Sequence, residues 1–158
     1  MRVIALLAAA TLLPGTSVAD CGADAAAVAR QFWEHHSRLF ERGDPTLHAE
    51  TTSRFYASLE RLWACTAKNP TCLGYEPWPS PADKRIAARP TFNLSYTRPD
   101  HVLVSMKYAL AGPDGRTGPD EVVVLTLTQD ANARCWLVDD LVTHRDRSLR
   151  VRLHRPDS

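Results

Sequence analysis

The residues best suited to chemistry in this chain are one histidine in the first predicted helix and two adjacent aspartates in the last predicted strand. His36 lies one helical turn after Phe32 and one before Phe40, at the centre of an apolar helix face. An imidazole that points inward from such a face could act as an acid or a base. Asp139 and Asp140 follow one another, so the alternation of a strand places them on opposite faces. An inward carboxylate near His36 would form an acid–base pair.

Structural roles explain the same residues and are the ones that we expect. His36 at the edge of a core would bond to a backbone carbonyl, and two aspartates at the rim of a sheet would be solvated or bonded to loop amides. The run Glu34-His35-His36 is not a zinc motif, because adjacent histidines cannot share one helix face. We therefore expect neither a metal ion nor a cofactor.

A proline-rich segment supplies the other candidate residues. Residues 69–90 contain five of the eleven prolines, which excludes a regular strand or a long helix. Tyr75, Trp78 and Asp83 lie within it as candidate binding residues. Trp78 is equally well explained as a plug in the core or as a contact residue that the prolines hold in place. If the chain binds a partner, we expect the segment 72–83 and the turn-rich segment 112–119 to contact it.

The first residues read as a secretory signal. Arg2 precedes the apolar run 3–13, which is too short to span a bilayer, and the small residues 17–19 predict cleavage before Asp20. The alternatives are a buried N-terminal helix and a lipid anchor on Cys21, against which Asp20 argues because a lipoprotein signal has a small residue there. Cleavage would leave 139 of the 158 residues, the size of one domain comprising 20–158.

The charge of the mature chain indicates no polyanionic partner. Once Arg2 is removed, 18 lysines and arginines balance 18 aspartates and glutamates. We therefore expect no nucleic acid partner, and no integral membrane segment after the signal is cleaved. The oligomeric state is not evident from these residues.

Four cysteines remain after cleavage, and their even number in an exported chain predicts disulfides rather than reactive thiols. Three pairings are possible. We favour Cys65–Cys72, because the intervening segment is short and Asn69-Pro70 bends it. Cys21–Cys135 follows by elimination, and the scattered spacing argues against zinc.

The elements that must position these residues fall into two groups. Helical periodicity covers 23–42, ending at Gly43, and then 45–67, where Asp44 is the expected N-cap. Strand periodicity follows in four segments, 91–96, 101–110, 121–129 and 134–142. This order predicts an α+β fold in which an N-terminal helix pair packs on a curved, four-stranded antiparallel sheet.

This arrangement resembles the nuclear-transport-factor-two-like superfamily of cone-shaped, cystatin-like folds. The helix pair, the late strands and the closing run Cys-Trp-Leu-Val-Asp-Asp at 135–140 carry the resemblance. More narrowly, Tyr75-Glu76-Pro77-Trp78 with Asp83 resembles a family of exported bacterial domains of unknown function. Some members of such families act as immunity proteins against toxins of other bacteria. The acid–base sets of the superfamily's enzymes do not align with this chain.

These observations predict a periplasmic or secreted binding domain without catalytic activity. An immunity or accessory protein that binds another exported protein is the function that they favour. The alternative is a small-molecule-binding protein, or an isomerase- or dehydratase-like enzyme, that uses the interior of the cone. In that case His36 with Asp139 or Asp140 would supply the polar groups.

Overall fold

The chain has an α+β fold in which helices cover one face of an open antiparallel sheet, as the sequence predicts. A computed structural model describes residues 24–36, 39, 43–70, 72–73, 78–79, 83, 85–132, 134–143 and 148–154. The predicted signal peptide, Cys21 and Tyr75 lie outside the described residues. The helices are α1 (Ala25–His35), α2 (Leu47–Glu50), α3 (Ser53–Lys68) and α4 (Leu149–His154). The strands are β1 (Thr91–Arg98), β2 (His101–Ala111), β3 (Thr117–Gln129) and β4 (Trp136–Val142).

The sheet is a simple meander with the order β1-β2-β3-β4, and every neighbouring pair is antiparallel. Each of the four strands overlaps the segment in which the alternation predicts it. β3 begins earlier than predicted, at Thr117, so only a short turn remains of the segment 112–119. Gly115 occupies this turn with a φ of 75°, a conformation that glycine adopts without strain. The backbone N–H of Gly112 donates to the carbonyl of Arg116 at 2.8 Å.

The second predicted helix is interrupted, so the expectation of one helix over 45–67 was wrong. Thr51 is extended and forms an isolated bridge with Val138 of β4. Thr52 then begins α3 as its N-cap, where its hydroxyl accepts a hydrogen bond from the N–H of Phe55. Two successive β-branched residues with hydroxyls favour such an extended cap over a helix interior. The break lets this connection contact the sheet.

The core lies between the helices and the inner face of the sheet. On the helical side, the core consists of buried residues of α1 and α3. On the sheet side, it consists of the alternating apolar residues of β2, β3 and β4. Fully burying one such side chain stabilises the fold by about 1.5–3 kcal/mol. The principal members are Phe32, Phe55, Leu59, Leu62, Val104, Met106, Val123, Leu125, Leu127, Val138 and Leu141.

The two edge strands of the sheet, β4 and β1, differ in the contacts that cover them. The N–H of Thr52 donates to the carbonyl of Val138 at 2.9 Å, and Ser148 bridges Val142, so the edge at β4 is covered twice. At the other edge, β2 is the only strand among the described elements that pairs with β1. Leu94 and Tyr96 of β1 are 51% and 42% exposed. An open, apolar edge strand is a ready template for another strand.

The described cysteines are all in disulfides, as an oxidising compartment would favour. Cys65 and Cys72 are joined, with their Cα atoms 5.9 Å apart, which confirms the predicted pairing. Cys135 is also disulfide-bonded, and its predicted partner Cys21 lies outside the described residues. Within the described part of the chain, none of the helices has the length and apolar character needed to cross a membrane.

Candidate functional site

His36 is buried at the C-terminal end of α1, with its ring 4.8 Å from that of Phe32 between centroids. Its inward orientation agrees with the periodicity of the helix. The expected carbonyl partner was wrong: Nε2 lies 2.9 Å from Oε2 of Glu50. Nδ1 lies 3.5 Å from Oδ2 of Asp44, and this contact lacks hydrogen-bond geometry, so Nδ1 has no hydrogen-bond partner among the described residues. The histidine thus joins the end of α1 to the region around α2.

The two carboxylates beside His36 approach opposite ends of its ring. Thr46 donates to Oδ1 of Asp44 from its hydroxyl at 2.6 Å and from its backbone N–H at 2.9 Å. These bonds lower the pKa of the Asp44 carboxyl, and the nearby His36 adds to the effect. Carboxylates at opposite ends of an imidazole cannot share one ion with it. Accordingly, the described residues contain no group of three histidine, cysteine or acidic side chains that could hold a metal ion.

Asp139 sits at an irregularity of β4 that the alternation did not predict. Thr126 pairs with Asp140 and Leu127 pairs with Val138, which leaves Asp139 as an extra, bulged residue. Its carboxylate accepts 2.6 Å hydrogen bonds from the hydroxyl of Thr52 and from Nη1 of Arg150. Asp139 therefore links β4 to the start of α3 and to α4.

Asp140 is buried and fully engaged with backbone amides and one hydroxyl. Oδ1 accepts from the N–H groups of Leu141 at 2.8 Å and Arg150 at 2.9 Å, and Oδ2 accepts from the hydroxyl of Ser148. Bonding to amides agrees with the structural role expected for this pair, although both aspartates are buried rather than solvated. No described contact joins either aspartate to His36, so the hypothetical acid–base pair is not assembled by these contacts.

Trp78 is part of the core. It is 2% exposed, and its ring meets that of Phe32 edge-on at 5.7 Å. Of the two roles that the sequence left open, the core plug is correct and the surface contact is wrong. A second tryptophan fastens the same segment, since Nε1 of Trp33 donates to the carbonyl of Pro79 at 2.9 Å. Residues 78 and 79 of the proline-rich segment are thus held against α1.

An open groove lies where α1 meets the segment that leads into β1. Its volume is about 490 Å³, and of the predicted site residues it contains Asp83. Sequence reasoning missed its other charged residues, because the partner of Arg89 lies 55 residues away on α1. The groove is lined by Trp33, Glu34, Asp83, Ile86, Ala87, Ala88, Arg89 and Pro90. We call it the α1 groove.

Asp83 shapes one wall of the α1 groove. Nε and Nη2 of Arg85 donate to its two oxygens at 3.0 and 2.6 Å, and the Arg85 N–H donates to Oδ1 at 2.9 Å. The guanidinium of Arg85 holds the pKa of the Asp83 carboxyl below its ordinary value. This turn directs the chain to Ile86, which bridges Leu110 at the end of β2. Both oxygens of the Asp83 carboxylate are therefore used to hold the turn at Arg85.

The second ion pair of the α1 groove is exposed. Nη2 of Arg89 lies 2.7 Å from Oε1 of Glu34, and the Arg89 and Glu34 side chains are 76% and 37% exposed. Pairs of this kind contribute only about 0–1 kcal/mol, so an incoming charged group can replace either member. The groove thus combines a lining of mixed polar and apolar residues with an exchangeable ion pair at its rim.

Comparisons with known proteins give no relative. No protein-family model, no curated protein and no solved structure matches the chain. The function must therefore be argued from the arrangement of its own residues.

Proposed function

We propose that this chain is an exported binding domain without catalytic activity, which engages another exported protein through the α1 groove. The observation that carries the proposal is the exposed Glu34–Arg89 ion pair in a groove that apolar side chains, among them Trp33 and Ile86, also line. The two side chains of this ion pair can exchange each other for charged groups of a bound protein, while the apolar lining residues can contact apolar side chains of that protein. An immunity or accessory role is the form of this function that the sequence resemblance favours.

The other candidate residues support a binding role by being already engaged. Asp139 and Asp140 accept hydrogen bonds that anchor α3 and α4, and His36 bonds to Glu50. The two aspartates cannot take up a substrate proton without losing the contacts that they make. The α1 groove, in contrast, carries the exposed Glu34–Arg89 pair, and separating these two side chains costs little free energy.

The Cys65–Cys72 disulfide supports an exported location. Disulfides persist in the periplasm and outside the cell and are rare in reducing compartments. Together with the predicted signal peptide, this bond favours a periplasmic or secreted domain. The nuclear-transport-factor-two-like superfamily remains the family that we propose, on the sequence features given above.

The second candidate, a pocket protein or enzyme that uses the interior of the cone, has less support. Phe32, Phe55 and Leu59 are fully buried between the helices and the sheet. The residues that line the α1 groove do not include His36, Asp139 or Asp140. An interior site would have to open beside side chains that the core already packs.

Charge reversal at the rim tests the proposal. The mature chain and its Arg89→Glu variant would be used to capture proteins from an envelope extract of the source cells. Arg54→Glu is the matched control, because it makes the same charge change at an exposed position of α3. We expect the wild type and Arg54→Glu to retain the same exported protein and Arg89→Glu to retain at least tenfold less. Equal capture by all three chains, or no capture by the wild type, would overturn the proposal.

A further inference from the structure

One cation beside the α1 groove has no acidic partner. Arg30 of α1 is exposed, and the described residues form no ion pair with it. Its guanidinium carbon instead lies 5.6 Å from the centroid of the Phe92 ring, which is a cation–π contact. An aromatic ring offers no lone pair to the guanidinium N–H groups, so these donors remain available to an acceptor. Arg30 is thus held in place by the ring and can still bind an incoming group.

Two contacts place Arg30 beside the ion pair of the α1 groove. Arg30 contacts Phe92, and Glu34, which lies one helical turn further along α1, bonds to Arg89. The segment 89–92 therefore runs beside α1 in the opposite direction. Residues that are four apart in a helix share one face. The guanidiniums of Arg30 and Arg89 consequently lie along the same side of α1.

The aromatic ring that holds Arg30 also packs against the lining of the groove. The Phe92 ring lies 6.1 Å, between centroids, from the ring of Trp33, which lines the α1 groove. Both rings are buried, so their positions are fixed by the core. Arg30 is therefore positioned at the groove by packed side chains rather than by solvent alone.

The charges around the groove leave a positive excess. The guanidinium of Arg85 is paired with Asp83, and that of Arg89 is paired with Glu34, which leaves Arg30 uncompensated. An incoming carboxylate can bond to Arg30 and can also replace Glu34 at Arg89, because an exposed pair is weak. An incoming cation would find only Glu34, and the neighbouring Arg30 would repel it. The groove is thus complementary to negative charge.

We infer that the partner presents an acidic segment to the α1 groove, with one carboxylate on Arg30 and a second on Arg89. This inference rests on the proposed function and specifies the charge of the bound surface. Bonds between guanidinium and carboxylate groups are charge-assisted and fix the orientation of the bound group. Apolar side chains of the same segment contact Ala87 and Ala88, which are exposed residues of the groove lining.

Two labelled peptides of equal length test the sign of the charge. One alternates alanine with glutamate, the other alternates alanine with lysine, and binding to the mature chain is measured by fluorescence anisotropy at low ionic strength. The acidic peptide should bind about tenfold more tightly than the basic one. Arg30→Gln should weaken the binding of the acidic peptide about threefold or more, while Arg54→Gln, the same change at an exposed position of α3, should leave it unchanged. Glu34→Gln should tighten it, because the internal carboxylate no longer competes for Arg89.

The opposite results would overturn the inference. These are equal or tighter binding of the basic peptide, no binding of the acidic peptide to the wild type, equal binding of the acidic peptide to the wild type and Arg30→Gln, or weaker binding to Glu34→Gln. Capture from the envelope extract is read separately. A wild type that captures an exported protein through Arg89 but does not prefer the acidic peptide contradicts the inference alone, whereas a failure of capture contradicts the proposed function.

Discussion

At the scale of single residues, the chain separates acidic groups that hold the fold from acidic groups that remain accessible. Asp139 and Asp140 are buried and accept several hydrogen bonds each, which a carboxylate needs in order to be buried at tolerable cost. Asp83 is engaged by Arg85, while Glu34 keeps only an exposed partner. Sequence reasoning named Asp83, Asp139 and Asp140 as candidates but missed Glu34. Thr52 lies 87 residues from Asp139 and Arg89 lies 55 residues from Glu34, so spacing along the chain carries no signal for these two contacts.

Asp83 should make the stability of the chain depend on pH in the acid range. Arg85 lowers the pKa of Asp83 in the folded chain, so the carboxylate stabilises the fold above its ordinary pKa of 3.8. That contribution disappears as the pH falls through the lower, folded-state value. Asp83→Asn should therefore be less stable than the wild type at pH 7, by about 1 kcal/mol because Arg85 is largely exposed. Thermal unfolding from pH 7 to pH 2 measures the difference.

The difference between the two chains should shrink only in the most acidic part of that range. Asp114→Asn serves as the control, because Asp114 is 61% exposed and its guanidinium contact with Arg116 is longer, at 3.6 Å, so at pH 7 this variant should unfold closer to the wild type than Asp83→Asn does. An Asp83→Asn difference that is constant with pH would show that the ionised carboxylate is not what stabilises this turn.

At the scale of elements, the sequence predicted the strands better than the helices. Alternation is a local signal, and all four strands appear where it places them. The break at Thr51 depends on a bridge to Val138, and the bulge at Asp139 depends on hydrogen bonds from Thr52 and Arg150. Both irregularities arise from tertiary contacts, which no periodicity of the chain reveals. Near the C-terminal end, residues 149–154 form α4, whose Leu149 is fully buried.

The attachment of α4 should depend strongly on Asp139. Asp139→Asn leaves the Arg150 guanidinium, which is 27% exposed, without its charged partner. Removing a charged hydrogen-bond partner from a guanidinium that keeps some contact with water costs about 1–3 kcal/mol, so the midpoint of urea unfolding should fall accordingly. The double variant with Arg150→Gln should recover part of the loss, because the unpaired charge is gone.

A small effect of the single variant would contradict this role. If Asp139→Asn unfolds within about 0.5 kcal/mol of the wild type, as exposed substitutions do, the ion pair does not anchor α4. A double variant that is less stable than the single one would mean that Arg150 contributes through other contacts.

At the scale of the whole molecule, the structure offers two surfaces of different character. The edge at β4 is closed by the connection between α2 and α3, while among the described residues β1 pairs with β2 alone and exposes Leu94 and Tyr96. The α1 groove lies beyond the start of β1 and carries the exchangeable ion pair. The balanced charge of the chain favours no polyanionic partner, but it could not locate either surface. Both are made by segments that the fold brings together.

Site-specific cross-linking at the α1 groove tests the central claim most directly. A photoreactive amino acid would replace Arg89, which is 76% exposed at the rim, and in a second chain it would replace Glu60 on an exposed position of α3. Irradiation of cells that export each chain should link the first to one defined exported protein and leave the second unlinked to it. If the probe at position 89 yields no exported protein, or if both positions yield the same products, the α1 groove is not the partner-binding site.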